Sequence, residues 1–228
     1  MGSSDLTLVC PVRPGESNEP LRYMLRSVAA HLPEARVILA GHKPAWVQGV
    51  EHVPVPQPRP DRSNVARILA AVCAHPSTPS EFMLVNDDFF AMVPNPPVPM
   101  VHNGTLADLA GEPGWRHGWY ARALANTRGV LAEWGHESPL SYDRVHQPMP
   151  VVTEVMGEVL DAAGDVPVLH RSLYGNTVGG GEAGVDAKAR AAEPLQDLPW
   201  ASTAPSSWNR QAGRAVRKAF PDPCRYET

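Results

Sequence analysis

The sequence DLTLVCPV, at residues 5–12, is a short run of apolar and β-branched side chains that ends near two prolines. A run of this length without alternating polar positions is typical of a strand buried on both faces of a parallel sheet. RVILA, at residues 36–40, has the same character and ends at Gly41. The segment between the two runs carries apolar residues with helical spacing: Leu21, Met24, Leu25, Val28 and Leu32. Strand, helix and strand in this order predict a parallel βαβ unit.

The same alternation continues to about residue 100. A third strand is expected at residues 51–55, a helix is expected to begin at Ser63 as its N-cap, and FMLV at residues 82–85 reads as another buried strand. Beyond that the pattern weakens, with helices expected at about 115–134, 151–163 and 207–219 and a glycine-rich loop at 178–184. The sequence therefore predicts one α/β domain over residues 1–228. We expect a mostly parallel sheet flanked by helices, with a regular half at residues 1–100 and an elaborated C-terminal half at residues 101–228.

Composition narrows the function classes. The 228 residues carry 20 Lys and Arg against 24 Asp and Glu, a net charge of −4, which disfavours nucleic acid as the main partner. No apolar run approaches the roughly 20 residues of a membrane span, and the start lacks a basic segment followed by an apolar one. The three cysteines are widely separated. We expect a cytoplasmic protein with reduced thiols and no membrane span.

Two adjacent carboxylates, Asp87 and Asp88, directly follow the FMLV run. They are therefore expected at the carboxyl edge of a parallel sheet, where open α/β sheets bind ligands. Neighbouring side chains on an extended chain point to opposite faces, so one carboxylate would face a ligand and the other the protein. If the site holds a metal, Asp88 is the preferred direct ligand, and a hard divalent cation there would stabilise a departing diphosphate. The alternative is that both aspartates only cap a loop.

Several motifs together carry a family resemblance. SNEPLRYMLRSV at residues 17–28 and NDDFF at residues 86–90 resemble a conserved region of the Stealth-type sugar-phosphate transferases. They are still more similar to small phage-encoded glycosyltransferases related to that family. Further matches are Tyr142 with His146 and Pro148, the sequence LYG at residues 173–175, and FPDPCRYE at residues 220–227.

The resemblance implies a GT-A-like, Rossmann-like fold and a nucleotide-diphosphate sugar as donor, with Mn²⁺ or Mg²⁺ as cofactor. The acceptor it implies is a hydroxyl on a protein, such as a phage structural protein, or on a glycan. The chain lacks the first conserved region of the Stealth proteins, so transfer of the sugar alone is what the resemblance most readily implies. A Stealth-like transfer of hexose 1-phosphate stays an alternative, as does a non-enzymatic module that binds nucleotide sugars or has a structural role.

Within that frame, the residues after the first strand become nucleotide-binding candidates. Arg13 is placed to stack on a base or to pair with a phosphate, although a surface arginine is often only solvated. Asn18 and Arg22 lie at the start of the first helix. Arg22 and Arg26 either lean together toward phosphate or form ion pairs with Glu19 and its neighbours.

The start of the second helix supplies further candidates. Asp61, Arg62 and Asn64 precede and open that helix, whose N-terminal amides favour an anion. The functional alternative is contact with the ribose or the diphosphate, and the structural one is helix capping. Asn86 and Asp87 complete the set of residues expected to bind the donor.

The chemistry of transfer leaves more than one candidate open. His146 is expected as a third metal ligand or as a hydrogen-bond donor to phosphate, and His170 competes for the same role. An inverting reaction needs a base for the acceptor hydroxyl, and Asp143 and Asp186 are the candidates. A retaining reaction needs no such base.

Overall fold

The computed structural model describes residues 6–58 and 62–228. Its strands in chain order are β1 (Thr7–Val12), β2 (Arg36–Gly41), β3 (Glu51–Pro54), β4 (Glu81–Leu84), β5 (Phe89–Ala91), β6 (Val101–His102), β7 (Met149–Val152), β8 (Glu182–Ala183), β9 (Lys188–Ala189) and β10 (Trp200–Thr203). Its helices are α1 (Glu19–His31), α2 (Ser63–Cys73), α3 (Leu106–Ala110), α4 (Gly118–Glu133), α5 (Thr153–Ala163), α6 (His170–Val178), α7 (Pro205–Trp208) and α8 (Gln211–Ala219).

The largest sheet has the strand order β3-β2-β1-β4-β7. The first four strands are parallel, and β7 runs antiparallel to β4 at the edge. The chain leaves β1 toward β2 and β3 and then returns to β4 on the other side of β1. The connections therefore reverse direction between β1 and β4, which opens a crevice at the carboxyl ends of these two strands.

Helices cover both faces of this sheet. Alternate residues of β1 enter two different hydrophobic clusters: Leu8 packs on the side of α1, and Val9 packs on the side of α2 and α5. The helix α1 forms where expected, with Pro20 in its first turn and Leu25 fully buried. The predicted α/β class, with a mostly parallel sheet flanked by helices, is confirmed.

A second, three-stranded sheet has the order β5-β10-β9. The strand β10 is antiparallel to β5 and parallel to β9. Its central residue Ser202 lies opposite Phe89 on β5 and opposite Lys188 on β9. This sheet connects the turn after β4 with segments that are about a hundred residues further along the chain.

The last residues of the chain pack against α1 and the segment after β2. Glu227 forms an isolated bridge with Val47, and the Gln48 amide donates to the Tyr226 carbonyl at 3.0 Å. The Glu227 carboxylate lies between the guanidinium groups of Arg22 and Arg26. We call Glu227, Arg22 and Arg26 the C-terminal clamp.

Three sequence-based expectations need correction. The single helix expected at 207–219 is wrong, because an extended backbone at Arg210 separates α7 from α8. The segment 178–184 is not only a loop, because its β8 residues pair with β6. Ser63 is the first residue of α2 rather than its cap, a position that Arg62 takes. Asp5, where the first strand was expected to begin, lies outside the described residues. Asp61, a candidate at the start of the second helix, also lies outside them. In the part of the chain that the structure describes, no helix has the length and apolarity that crossing a membrane requires.

Candidate functional site

The expected carboxylates lie at the carboxyl end of β4. Asn86, Asp87 and Asp88 occupy the short connection between β4 and β5. The Asn18 side chain reaches this turn from the start of α1, and its Nδ2 donates to Asp87 Oδ2 at 3.1 Å. Asn18 also caps α1, because its Oδ1 accepts from the Leu21 amide at 3.4 Å. One residue thus ties the first helix to the acidic turn.

Asp87 lies in an electrostatically unfavourable position. Burial raises the pKa of Asp87, and the negative charge of Asp88 raises it further. The hydrogen bond from Asn18 and the positive charges of Arg13 and Lys188 oppose this rise without cancelling it. Burial and the same two aspartates also raise the pKa of the Cys10 thiol on β1. Asp87 is therefore a carboxylate whose ionised form is disfavoured by desolvation and by its neighbour Asp88.

Asp88 has a cationic partner that the sequence analysis missed. Lys188 Nζ lies 2.9 Å from Asp88 Oδ2, with side-chain exposures of 17% and 15%. The Ser202 hydroxyl donates to the same oxygen at 3.2 Å. Both partners come from the second sheet, on β9 and β10.

A buried arginine lies behind the acidic turn. Arg171, at the start of α6, donates to the Gln147 carbonyl at 2.9 Å and to the Leu84 carbonyl and Asn86 Oδ1, each at 3.4 Å. Burial lowers its pKa to about 10, against the opposing effect of Asp143 and Asp88, so it remains protonated at neutral pH. Arg171 joins α6 to the end of β4 and brings a fixed positive charge beside the aspartates.

His146 approaches the same region from the opposite side. Its backbone is left-handed, with a φ of 45°, and its Nδ1 lies 2.7 Å from Asp186 Oδ1. Burial lowers the pKa of His146, and this effect outweighs the opposing charges of Asp186 and Asp88. The imidazole is therefore neutral at pH 7, the form in which histidine binds a metal.

The two candidate bases differ in their surroundings. Burial raises the pKa of Asp186, but hydrogen bonds from His146, Arg190 and the Lys188 amide outweigh burial and lower it to about 2. Both oxygens of Asp186 are already hydrogen-bonded, one of them to His146. Asp186 is therefore better suited to positioning His146 than to abstracting a proton. Asp143 uses one oxygen, Oδ2, to accept from the Ser172 amide at 2.8 Å and the Ser172 hydroxyl at 2.7 Å.

His170 lies beside Asp143 and Arg171 at the start of α6. Burial lowers its pKa to about 4, and the charge of Asp143 opposes this shift only partly. His170 is therefore neutral at pH 7 like His146. The charge of Asp88 raises the pKa of both His146 and Arg171.

Arg13 and Arg62 lie at the other end of the crevice, around an aromatic residue. The Arg62 guanidinium lies 4.3 Å from the centre of the Tyr120 ring. Burial raises the pKa of Tyr120, Asp143 raises it further, and the charges of Arg62 and Arg13 lower it. The predicted candidate Arg62 therefore lies near Tyr120, which the sequence analysis missed. Asn64 is buried in the first turn of α2.

Arg22 is engaged away from the acidic turn. Its guanidinium pairs with Glu227 and lies 4.1 Å from the centre of the Trp46 ring. Arg26 pairs with the same carboxylate, whereas Glu19 accepts from Trp208 Nε1 at 2.7 Å. The sequence analysis offered phosphate, or Glu19 and its neighbours, as partners of Arg22. It did not include Glu227, which lies 205 positions further along the chain.

The donor types at the acidic turn fit a hard divalent cation. Two carboxylates and a neutral imidazole, from Asp87, Asp88 and His146, are ligands that Mg²⁺ and Mn²⁺ accept. Over residues 6–58 and 62–228, however, no group of three or more His, Cys, Asp or Glu side chains is already gathered as a metal site. Metal binding would therefore require a rearrangement of side chains.

Two cavities, of about 340 and 410 Å³, lie away from the crevice. The first is lined by residues at the starts of β2 and β3 and by Tyr226, and the second by residues of α4 and the loop that follows it. Neither contains a residue of the acidic turn. No protein-family model matches the chain, and no curated protein matches it significantly.

Proposed function

We propose that this chain is a metal-dependent glycosyltransferase with a GT-A-like fold. It would move a sugar from a nucleotide-diphosphate sugar to an acceptor hydroxyl on a protein or glycan. The reversal of connections between β1 and β4 supports a nucleotide-binding crevice at their carboxyl ends. The motifs shared with phage-encoded glycosyltransferases support the class of reaction.

The observation that carries the proposal is the desolvated carboxylate of Asp87 beside Asp88 at the end of β4. A structural cap would be satisfied by its surroundings, whereas here burial and mutual repulsion raise the pKa of Asp87. Groups whose pKa is shifted by burial together with a charged neighbour are concentrated at functional sites. A bound divalent cation would relieve this repulsion.

Asp88, Asp87 and the imidazole of His146 are the residues that would hold Mn²⁺ or Mg²⁺. The metal, when bound, would stabilise the negative charge that gathers on the departing diphosphate. Asp186 would hold the His146 ring in position through the 2.7 Å contact with Nδ1. Arg171 would keep Asn86 and the end of β4 fixed while the ligand binds.

The remainder of the crevice suits the donor nucleotide and the acceptor. Arg13 and Arg62 flank Tyr120, and together they offer two cations and an aromatic ring to a base, ribose or phosphate. Asn18 would hold Asp87 from the side of α1. If the reaction inverts the sugar, Asp143 is the better placed base, because Asp186 is engaged by His146 and Arg190.

The direct test is release of nucleotide from UDP-, GDP- and TDP-sugars in the presence of Mn²⁺. Wild-type chain is compared with Asp88→Asn and with a matched control, Asp222→Asn, at an exposed position. We expect release by the wild type and by the control, and loss of release by Asp88→Asn. Equal release by wild type and Asp88→Asn would remove Asp88 from the proposal.

The mass of the product separates the two transfer reactions. A product that gains only the sugar supports glycosyl transfer, whereas a product that also gains phosphorus identifies a Stealth-like transfer of sugar phosphate. A binding module would instead be stabilised against heat by Mn²⁺ with a nucleotide sugar but would release no nucleotide. A ligand at a hundred times its Kd stabilises a fold by about 2.7 kcal/mol, which a thermal scan detects.

A further inference from the structure

Lys188 is brought to the acidic turn by a dedicated piece of structure. Asp88 directly precedes β5. Ser202, on β10, lies opposite Phe89 of β5, and Lys188, on β9, lies opposite Ser202. Three neighbouring strands thus present Asp88, Ser202 and Lys188 side by side. The ammonium group and the hydroxyl both contact Asp88 Oδ2, at 2.9 and 3.2 Å.

The charge of Lys188 extends beyond its direct partner. It lowers the pKa of Asp87 and that of His146, the other two candidate metal ligands. The negative groups that face it are Asp88 and Asp87, and its own amide donates to Asp186 Oδ1 at 3.0 Å. Lys188 therefore contacts Asp88 directly, in the position where a metal would need to bind.

We propose that Lys188 has two opposed roles at this site: it competes with a divalent cation for Asp88, and it binds the diphosphate of the donor. This inference rests on the proposed function, since it assigns the diphosphate contact within the same site. When the diphosphate enters, the flexible four-carbon stem of Lys188 lets Nζ move from Asp88 Oδ2 to a phosphate oxygen. The oxygen that it leaves becomes available to the metal.

The proposal makes opposite predictions for two simple ligands. Removal of the ammonium group leaves Asp88 Oδ2 without its competitor, so Mn²⁺ alone should bind more tightly. The same change removes a cation from the phosphate contact, so inorganic pyrophosphate without metal should bind more weakly. A lysine that only supports the fold would change neither affinity, or would weaken both.

The experiment uses the full chain and the variants Lys188→Met, Lys188→Arg and Lys218→Met. Lys218 is exposed on α8 and serves as the matched control. Mn²⁺ binding is followed by electron paramagnetic resonance of the free ion, and pyrophosphate binding in EDTA is followed by calorimetry. For Lys188→Met we expect about fivefold tighter Mn²⁺ binding and about tenfold weaker pyrophosphate binding, a change that corresponds to about 1.4 kcal/mol.

Lys188→Arg keeps the positive charge and should retain pyrophosphate binding within about threefold of the wild type. It also keeps a partner for Asp88 should Lys188→Met fail to fold, which circular dichroism would reveal. The inference is overturned if both affinities shift in the same direction, if either stays unchanged in Lys188→Met, or if Lys218→Met has the same effect. If the wild type releases nucleotide but the affinities of Lys188→Met for Mn²⁺ and pyrophosphate do not shift in opposite directions, the inference about Lys188 is refuted. The proposed function then stands.

Discussion

The C-terminal clamp and the acidic turn are both clusters of carboxylates and cations, but they differ in how completely their charges are satisfied. In the clamp, Glu227 Oε1 accepts from Arg26 Nε at 2.7 Å and from the Cys224 amide at 3.1 Å, and Oε2 accepts from both arginines. Burial raises the pKa of Glu227, but the hydrogen bonds from Arg26, Arg22 and the Cys224 amide lower it to about 2.

The acidic turn shows the reverse. Asp87 accepts a hydrogen bond from Asn18, and its pKa is nevertheless raised rather than lowered. A carboxylate that accepts several hydrogen bonds from the protein stabilises the fold. A carboxylate that is desolvated beside a like charge is unfavourable, and the remaining contacts of the fold keep it in place. The difference separates a cluster that stabilises the fold from the cluster for which we propose ligand binding, although their composition is similar.

The largest expected effect is a loss of activity when the acidic turn is changed. Replacing Asp88 with Asn removes the charge that would hold the metal, and we expect nucleotide release to fall by about 1,000-fold. The melting temperature should stay within a few degrees of the wild type, because the Asn side chain still accepts from Ser202 and Lys188 still has the charge of Asp87 nearby. A collapse of the fold with Asp88→Asn would instead make this turn a structural cluster like the clamp.

The next largest effect is on stability at the clamp. Glu227→Gln leaves two arginines without their shared carboxylate, and we expect the free energy of unfolding to fall by about 3 kcal/mol. Denaturant titration measures this change. The matched control is Glu51→Gln at the exposed pair with Arg36, where the loss should be less than about 1 kcal/mol. Equal losses of unfolding free energy in Glu227→Gln and Glu51→Gln would contradict the distinction between the C-terminal clamp and an exposed ion pair.

The clamp and His170, at the start of α6, should lose stability in separate ranges of pH. The pKa of His170 is about 4 in the fold and near 6.5 when the chain is unfolded, so the unfolded state binds the extra proton between these values. Stability should therefore fall as pH drops from 6.5 to 4, by at most about 1.4 kcal/mol per pH unit, and His170→Asn should flatten this slope.

Glu227 titrates at lower pH. Its folded pKa of about 2 is below the usual 4.5, so its contribution is present above pH 4.5 and is lost as pH falls toward 2. Denaturant titrations at a series of pH values would resolve the two ranges. Should His170→Asn leave the slope between pH 6.5 and 4 unaltered, His170 would not be the group that titrates there.

The smallest effect has the opposite sign to that at the clamp. Because burial and Asp88 disfavour the ionised form of Asp87, Asp87→Asn should raise the free energy of unfolding at pH 7 by about 1 kcal/mol while lowering activity. Asp222→Asn provides the exposed control. A loss of stability in Asp87→Asn comparable to that in Glu227→Gln would erase the contrast on which the functional assignment depends.

Local patterns in the sequence were sufficient to predict the four parallel strands of the large sheet and the place of the acidic turn, but not the antiparallel edge strand β7 or the second sheet. The apolar run before Asp87 marks a buried strand, and the ends of parallel strands share one edge of a sheet, so the position of the turn follows from spacing alone. The spacing of Leu21, Met24 and Leu25 likewise predicted α1. The break at Arg210 was missed because α7 and α8 together present a nearly continuous helical pattern.

The partners of the charged residues could not be predicted in this way. Lys188 lies in a two-residue strand and contacts Asp88 only through the pairing of β5, β10 and β9. Arg22 was placed correctly on α1, but its partner Glu227 lies 205 positions away in sequence. Contacts of this separation depend on the tertiary fold, and no periodicity in the chain reports them.

The C-terminal clamp also bears on how the protein is made. Arg22 and Arg26 leave the ribosome about 200 residues before Glu227, which at usual rates of translation is a delay of roughly 10–40 s. During that interval α1 carries two arginines without their carboxylate, and the aromatic surface that Tyr226 covers is open to other nascent chains or chaperones. An affinity tag fused at the carboxyl terminus would lie next to this late contact, so a tag at the amino terminus is the safer choice for producing the protein.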